Sequence, residues 1–206
     1  MAKQAAKREP VVVRPKLFVT VEAWDLWLGK NHDRSKGVWL KIAKGTGSSG
    51  STVSYDEALD VALCHGWIDA RKGKLDSRFW LQRFTPRTPT SRWSRLNCDK
   101  AERMIAAGRV RAAGLKAIEA AKADGRWANA YEGQRRATVP DDLQQALNDR
   151  PDALAFFKEL DGRNRYAILY RLQNAKQPAT RARNLCRFVE MLARRETIHA
   201  PKRGRS

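Results

Sequence analysis

The chain has 206 residues, 42% of them hydrophobic and 8% aromatic, which is too apolar for a disordered chain and enough for a packed core. Its 41 Lys and Arg residues against 22 Asp and Glu give a formal charge of +19. Such an excess points to an acidic partner, nucleic acid or an anionic surface, and is silent about fold.

Cys64, Cys98 and Cys186 are odd in number, widely spaced and lack any C-x-x-C pair. They argue against both a disulfide framework and a structural zinc site. His32, His65 and His199 are scattered without ligand spacing, so neither a metal nor a cofactor is expected. No stretch reaches the ~7–15 apolar residues of a signal segment or the ~20 of a membrane span. A cytoplasmic protein without a membrane span is the expectation, its oligomeric state being open.

In chain order, residues 1–15 form a basic tail. Leu17-Phe18-Val19 suggests a short strand, and Ala23, Trp24, Trp27 and Leu28 recur at helix spacing after Thr20. Val38, Leu40 and Ile42 alternate with Trp39 and Lys41, as in a half-buried strand. Gly45 to Ser51 reads as a flexible connection, since a phosphate loop would need a Lys-Ser/Thr entry to a helix. Ser54 with Glu57 predicts a capping box, and Gly66 ends that helix. Trp67-Ile68-Asp69 suggests a second strand, Arg71 to Lys74 a turn, and Arg78 to Phe84 a third strand ending at Pro86.

Beyond Arg95 only helices are predicted. Asn97 is a candidate cap for a helix through Met104 and Ile105, and Gly125 closes one carrying Leu115, Ile118 and Ala121. Pro140, with Asp141 and Asp142, opens another. Leu154 and Phe157, then Tyr166, Leu169 and Tyr170, mark two more. Pro178 opens the last, with Leu185, Phe188, Val189 and Leu192 on one face and Arg183, Arg187 and Arg194 opposite. The expected fold class is α+β: a small mixed α/β N-terminal lobe with a short sheet at 16–95, then an all-helical C-terminal lobe at 96–195. Residues 196–206 form a second basic tail.

Residues 71–111 hold twelve basic residues and three acids, a net of +9, interleaved with Trp80, Phe84 and Trp93. Aromatic faces stack on ligands and guanidinium forks bind phosphate or carboxylate. Equally, such tryptophans serve as core and such arginines as a solvated rim. His65 and Asp69 are four apart, but Gly66 between them breaks the helix that would pair them. Arg181 falls on the edge of the last helix's apolar stripe and therefore needs an acid or a carbonyl partner.

Several phrases resemble the YdeI/OmpD-associated family. They are Ser54-Tyr-Asp-Glu-Ala-Leu59, Ala62-Leu-Cys-His-Gly-Trp-Ile-Asp69, Gln82-Arg-Phe-Thr-Pro-Arg87, Ser91-Arg-Trp-Ser94 with Asn97, and Gly125-Arg-Trp127. Val139-Pro-Asp-Asp-Leu143 and Thr180-Arg181-Ala-Arg183 continue the likeness, which spans about 17–195. The resemblance implies a bacterial stress-resistance or bacteriocin-protection protein and brings no catalytic residues with it.

The reading favoured by the sequence is a non-enzymatic protein that binds an anionic small molecule or acidic partner. Its candidate ligand-binding residues are Trp67, Asp69, Arg83, Arg87, Ser91, Trp93 and Asn97. There Asp69 orients an arginine, Arg83 or Arg87 reads the anion, and Trp93 offers a stacking face. The alternatives are nonspecific nucleic-acid binding through the basic surface and tails, and an enzyme using His65 or Asp69.

Overall fold

A computed structural model describes residues 14–45 and 52–200. Most of residues 1–15, the connection at 46–51 and residues 201–206 therefore lie outside the described residues. The chain packs as two compact units. The first comprises residues up to Ser91 together with Asp99–Trp127, and the second Arg92–Cys98 together with the residues from Ala128 onward.

In the first unit, helix α1 (Val21–Asn31) starts where the Thr20 hydroxyl accepts from the Ala23 amide at 3.2 Å. Trp24 and Leu28, four apart, are its buried stripe. Helix α2 (Tyr55–Cys64) opens with the predicted reciprocal capping box between Ser54 and Glu57. It ends at Gly66, whose φ of +73° suits a residue without a side chain. The Trp24 indole donates to the Ala58 carbonyl at 3.0 Å, tying the two helices together.

Strands β1 (Val38–Ala43), β2 (Trp67–Lys74) and β3 (Phe79–Pro86) form an antiparallel sheet in the order β1-β3-β2. Alternation decides which side chains face the helices. Leu40, Ile42, Gln82 and Phe84 are buried on one face, while Trp39, Lys41, Leu81 and Arg83 are half-buried on the other. The Trp24 and Phe84 rings meet at 5.7 Å between helix and sheet.

Two local expectations give way here. The strand at Leu17–Val19 does not form. Lys16 alone bridges to β1, donating to the Trp39 carbonyl, and the Phe18 carbonyl is taken by the Val53 amide. Residues 71–74 are strand, not turn: an irregularity between Asp69 and Lys72 restores the pairing, and β2 runs on to Lys74. The turn is set instead by Asp76, whose carboxylate accepts from the amides of Arg78 and Phe79.

Helices α3 (Arg95–Ala106) and α4 (Ala112–Ala123) follow. Ser94, not Asn97, caps α3: its hydroxyl accepts from the Asn97 amide at 3.2 Å, which puts Asn97 inside the first turn. Most of α3 and all of α4 group with the sheet, whereas the sequence reading assigns them to the helical lobe. Gly114 shows why α4 fits there. A Cβ at that position would overlap the Cys64 carbonyl oxygen and come within 2.8 Å of Val110 Cγ1. The bare backbone lets α4 approach the end of α2, where the Arg111 amide donates to the same Cys64 carbonyl at 2.9 Å.

The second unit holds α5 (Asp141–Asn148), α6 (Pro151–Glu159), α7 (Gly162–Gln173) and α8 (Pro178–Ala193). Leu143, Leu147, Phe157, Ile168, Leu172, Phe188 and Leu192 form its core. On α8, Phe188, Val189 and Leu192 are buried, Leu185 is half-buried, and Arg183, Arg187 and Arg194 are exposed. Arg181 donates through Nε and Nη2 to the two Asp142 carboxylate oxygens at 2.7 and 2.8 Å. Its Nη1 reaches the Leu172 carbonyl at 2.7 Å, so three helices meet on one guanidinium. The class of the molecule is thus α+β, with its sheet in the N-terminal half and helices in the remainder.

Candidate functional site

A cleft of about 350 Å³ opens in the first unit, within the range of small-molecule sites. The start of β2 and the end of β3 supply Trp67, Pro86 and Arg87, and α4 supplies Lys116 and, just past its end, Arg126. Pairing explains the first group: Trp67 lies opposite Pro86, and the Arg87 amide donates to the Gly66 carbonyl at 2.9 Å. Register therefore brings together residues twenty positions apart.

Three cations, Arg87, Lys116 and Arg126, line the cleft against one acid, Asp124. That acid is engaged, since Arg126 Nε lies 2.9 and 2.7 Å from its two oxygens. Arg126 Nη1 donates to the Ser91 carbonyl at 2.8 Å, which fixes the guanidinium at the rim. Lys116 is exposed and makes no ion pair among the described residues. The result is a positively charged cleft with an apolar wall, suited to an oxyanion.

His65 lines the same cleft and is only 4% exposed. Its Nε2 lies 2.7 Å from Asp25 Oδ1 on α1, and Arg111 Nη2 meets the other Asp25 oxygen at 3.1 Å. A carboxylate only accepts, so Nε2 carries the proton and Nδ1 keeps the lone pair. Burial pushes the imidazole below its ordinary range, although the bond to Asp25 pulls the other way. Burial raises Asp25, but the bonds from His65 and Arg111 outweigh it and hold the carboxyl below its usual value. Asp25, with Cys64, Arg109 and Arg111, lines a second cavity of about 560 Å³. Burial pushes the Cys64 thiol up, which keeps it from being a thiolate.

Among the residues predicted for the site, Trp67 and Arg87 share the cleft, whereas Ser91 lies outside its lining and only accepts, through its carbonyl, from Arg126. Trp67 is 1% exposed and donates to the His32 carbonyl, so it is wall and core at once. Among the described residues Asp69 orients no arginine: its carboxylate accepts from the Tyr55 hydroxyl at 2.9 Å. Arg83 stands on the other sheet face, opposite Trp39, because its neighbour Phe84 fills the core. Trp93 and Asn97 are buried and belong to the second unit.

Sequence reasoning missed Asp25, Lys116 and Arg126. The basic run catches the eye between 71 and 111 and stops short of the last two. Asp25 sits forty residues from His65, where no spacing rule reaches.

In the second unit, Arg92 lies over both Tyr131 and Tyr170 at 5.3 Å and donates to the Tyr170 hydroxyl at 3.1 Å. Tyr166 donates to the Glu132 carbonyl, and burial pushes its hydroxyl up to about 12. This cluster binds the segment 131–132 to α7 and is a packing element. Among the described residues no cluster of His, Cys, Asp and Glu could hold a metal ion. None of their helices is long and apolar enough to cross a membrane.

The fold and the cleft define an α+β protein with a basic cleft in its first unit. Residues 136–195 match the family described as Bacteriocin-protection, YdeI or OmpD-Associated, and the resemblance seen in the sequence holds for this segment. Residues 16–117 match a different family, a Domain of unknown function (DUF8412). The cleft thus lies largely in the segment matched by the second of these. No curated protein and no solved structure matches the chain.

Proposed function

We propose that this is a bacteriocin-protection-like protein that acts by binding, and that its ligand is a small oxyanion held in the cleft beside Trp67. The observation that carries this reading is the convergence of Arg87, Lys116 and Arg126 on one cleft whose single acid is already paired. Trp67 and Pro86 supply an apolar wall for the body of the ligand. The family description of the C-terminal segment supports a protective role and leaves the ligand open.

The test is calorimetric titration with sulfate at low ionic strength. Lys116 is exposed and makes no ion pair among the described residues, so Lys116→Gln leaves the fold intact. A charge-assisted contact contributes about 1.5–3 kcal/mol, so Lys116→Gln and Arg87→Gln should each weaken binding about tenfold or more. Arg183→Gln, on the exposed face of α8, should not change it. Equal affinity in all three variants would show that charge at the cleft is incidental. Tighter binding to single-stranded DNA than to sulfate, with a steep salt slope, would favour a nucleic-acid surface instead.

A further inference from the structure

We infer that the Asp25–His65 pair makes this a proton-coupled anion site, in which His65 takes up a proton at Nδ1 as the oxyanion seats and becomes one of its ligands. The inference rests on the binding reading above and adds a contact and a control to it.

Geometry supports it from three sides. First, His65 is almost wholly buried yet lines the cleft, and Asp25 occupies Nε2 at 2.7 Å. Nδ1 is the ring nitrogen left without a protein partner among the described residues. Second, the carboxylate behind the ring stabilises an imidazolium once it forms, in the manner of a buried acid supporting a histidine. Third, Arg111 on the far oxygen keeps Asp25 ionised and fixed, so a proton added to the pair resides on the imidazole.

The charged surroundings set the resting state. Facing His65 are Asp25 from α1, His32 at the end of α1, and Arg111 at the start of α4. Across the cleft stand Arg87 after β3, Lys116 on α4, and Arg126 with its partner Asp124. With the cleft empty, burial outweighs the pull of Asp25, with His32 and Arg111 acting in the same direction as burial, so the ring stays neutral at pH 7. An oxyanion between Arg87, Lys116 and Nδ1 reverses the local sign and makes the imidazolium the favoured form. By linkage, a ligand that draws in a proton must bind more tightly as pH falls.

Sulfate is the suitable probe because it does not titrate between about pH 5 and 8, so any proton exchanged belongs to the protein. Calorimetry in two buffers of different ionisation enthalpy should show proton uptake on sulfate binding. Affinity should rise several-fold, up to tenfold per unit, between pH 8 and pH 6. In the unmodified protein, one of the three histidine ring resonances should shift its midpoint upward when sulfate saturates the site. His65→Gln should still bind sulfate through Arg87 and Lys116, with uptake lost and a flat pH profile. His199→Gln, in the second unit and outside the cleft lining, should keep both.

Sulfate binding without uptake, and with a pH-independent affinity, would overturn this inference and leave the binding reading standing. Uptake that survives in His65→Gln but vanishes in His32→Gln would move the proton to the wrong histidine and overturn it equally. Absence of sulfate binding to the wild-type protein would overturn both readings. The resonance measurement needs no variant, so a failure of His65→Gln to fold does not protect the claim.

Discussion

Gly114→Ala should destabilise the protein by about 2 kcal/mol, against the usual sign of that substitution in a helix. Alanine normally gains up to about 1 kcal/mol over glycine in a helix interior, because it restricts the unfolded chain. At Gly114 the added methyl would run into the Cys64 carbonyl oxygen, a backbone atom that already accepts from the Arg111 amide. A side chain could swing away; the end of α2 cannot. The close contact must open, and with it the junction of α2 and α4 that places Lys116 at the cleft. A loss of this size corresponds to about 4–8 °C in Tm for a chain of this length. Gly133→Ala is the control, since nothing lies within 4 Å of its would-be Cβ. Differential scanning calorimetry should find Gly133→Ala at or above wild type and Gly114→Ala well below it. An equal or raised Tm for Gly114→Ala would refute the close-approach account.

Arg181→Ala should lower the Tm of the chain by about 3–6 °C, whereas Arg183→Ala, two residues away, should stay within about 1 °C. The first loses two bonds to Asp142 and one to the Leu172 carbonyl. The pair is about a third exposed, so solvent screening discounts the charge interaction, and about 1.5 kcal/mol is expected. Its pH dependence has a definite sign. Bonds from Arg181 hold the Asp142 carboxyl below its usual range, so the stabilisation is complete above the unfolded carboxylate value near about 4. It disappears as pH falls through the lower folded value. The Tm gap between wild type and Arg181→Ala should therefore be constant near neutrality and close on acidification. A gap that persists at low pH would assign the loss to packing of the side-chain stem.

The same contrast shows what a sequence discloses. The Ser54–Glu57 box, the Val38–Ile42 alternation and the proline at the start of α8 act within a few residues, and each is found where the residues place it. Arg181 was legible because helix geometry puts it beside an apolar stripe, which obliges a partner. The pairing of His65 was not. Its nearest acid in sequence, Asp69, is carried away along β2 to Tyr55, and its actual partner comes from α1. The cleft was half legible for a similar reason. Trp67 and Arg87 stand out as an aromatic and a cation, but only the β2–β3 register makes them neighbours. Arg83 was misplaced because a run of alternating residues shows that two faces exist without showing which one meets the ligand.

The order of the sheet bears on how the protein behaves when crowded with copies of itself. Strands β1 and β2 form its two edges, and an open edge invites another chain to add a strand and begin a fibril. Each edge is spoiled by a different device. Beside β1, Lys16 takes the Trp39 carbonyl and gives its own carbonyl to the Lys41 amide, so part of that ladder is already used. Along β2 the register breaks between Asp69 and Lys72, and Arg71, Lys72 and Lys74 stand exposed there. An incoming strand would meet a kinked backbone and a row of like charges, which makes a concentrated solution of this protein resistant to edge-to-edge aggregation.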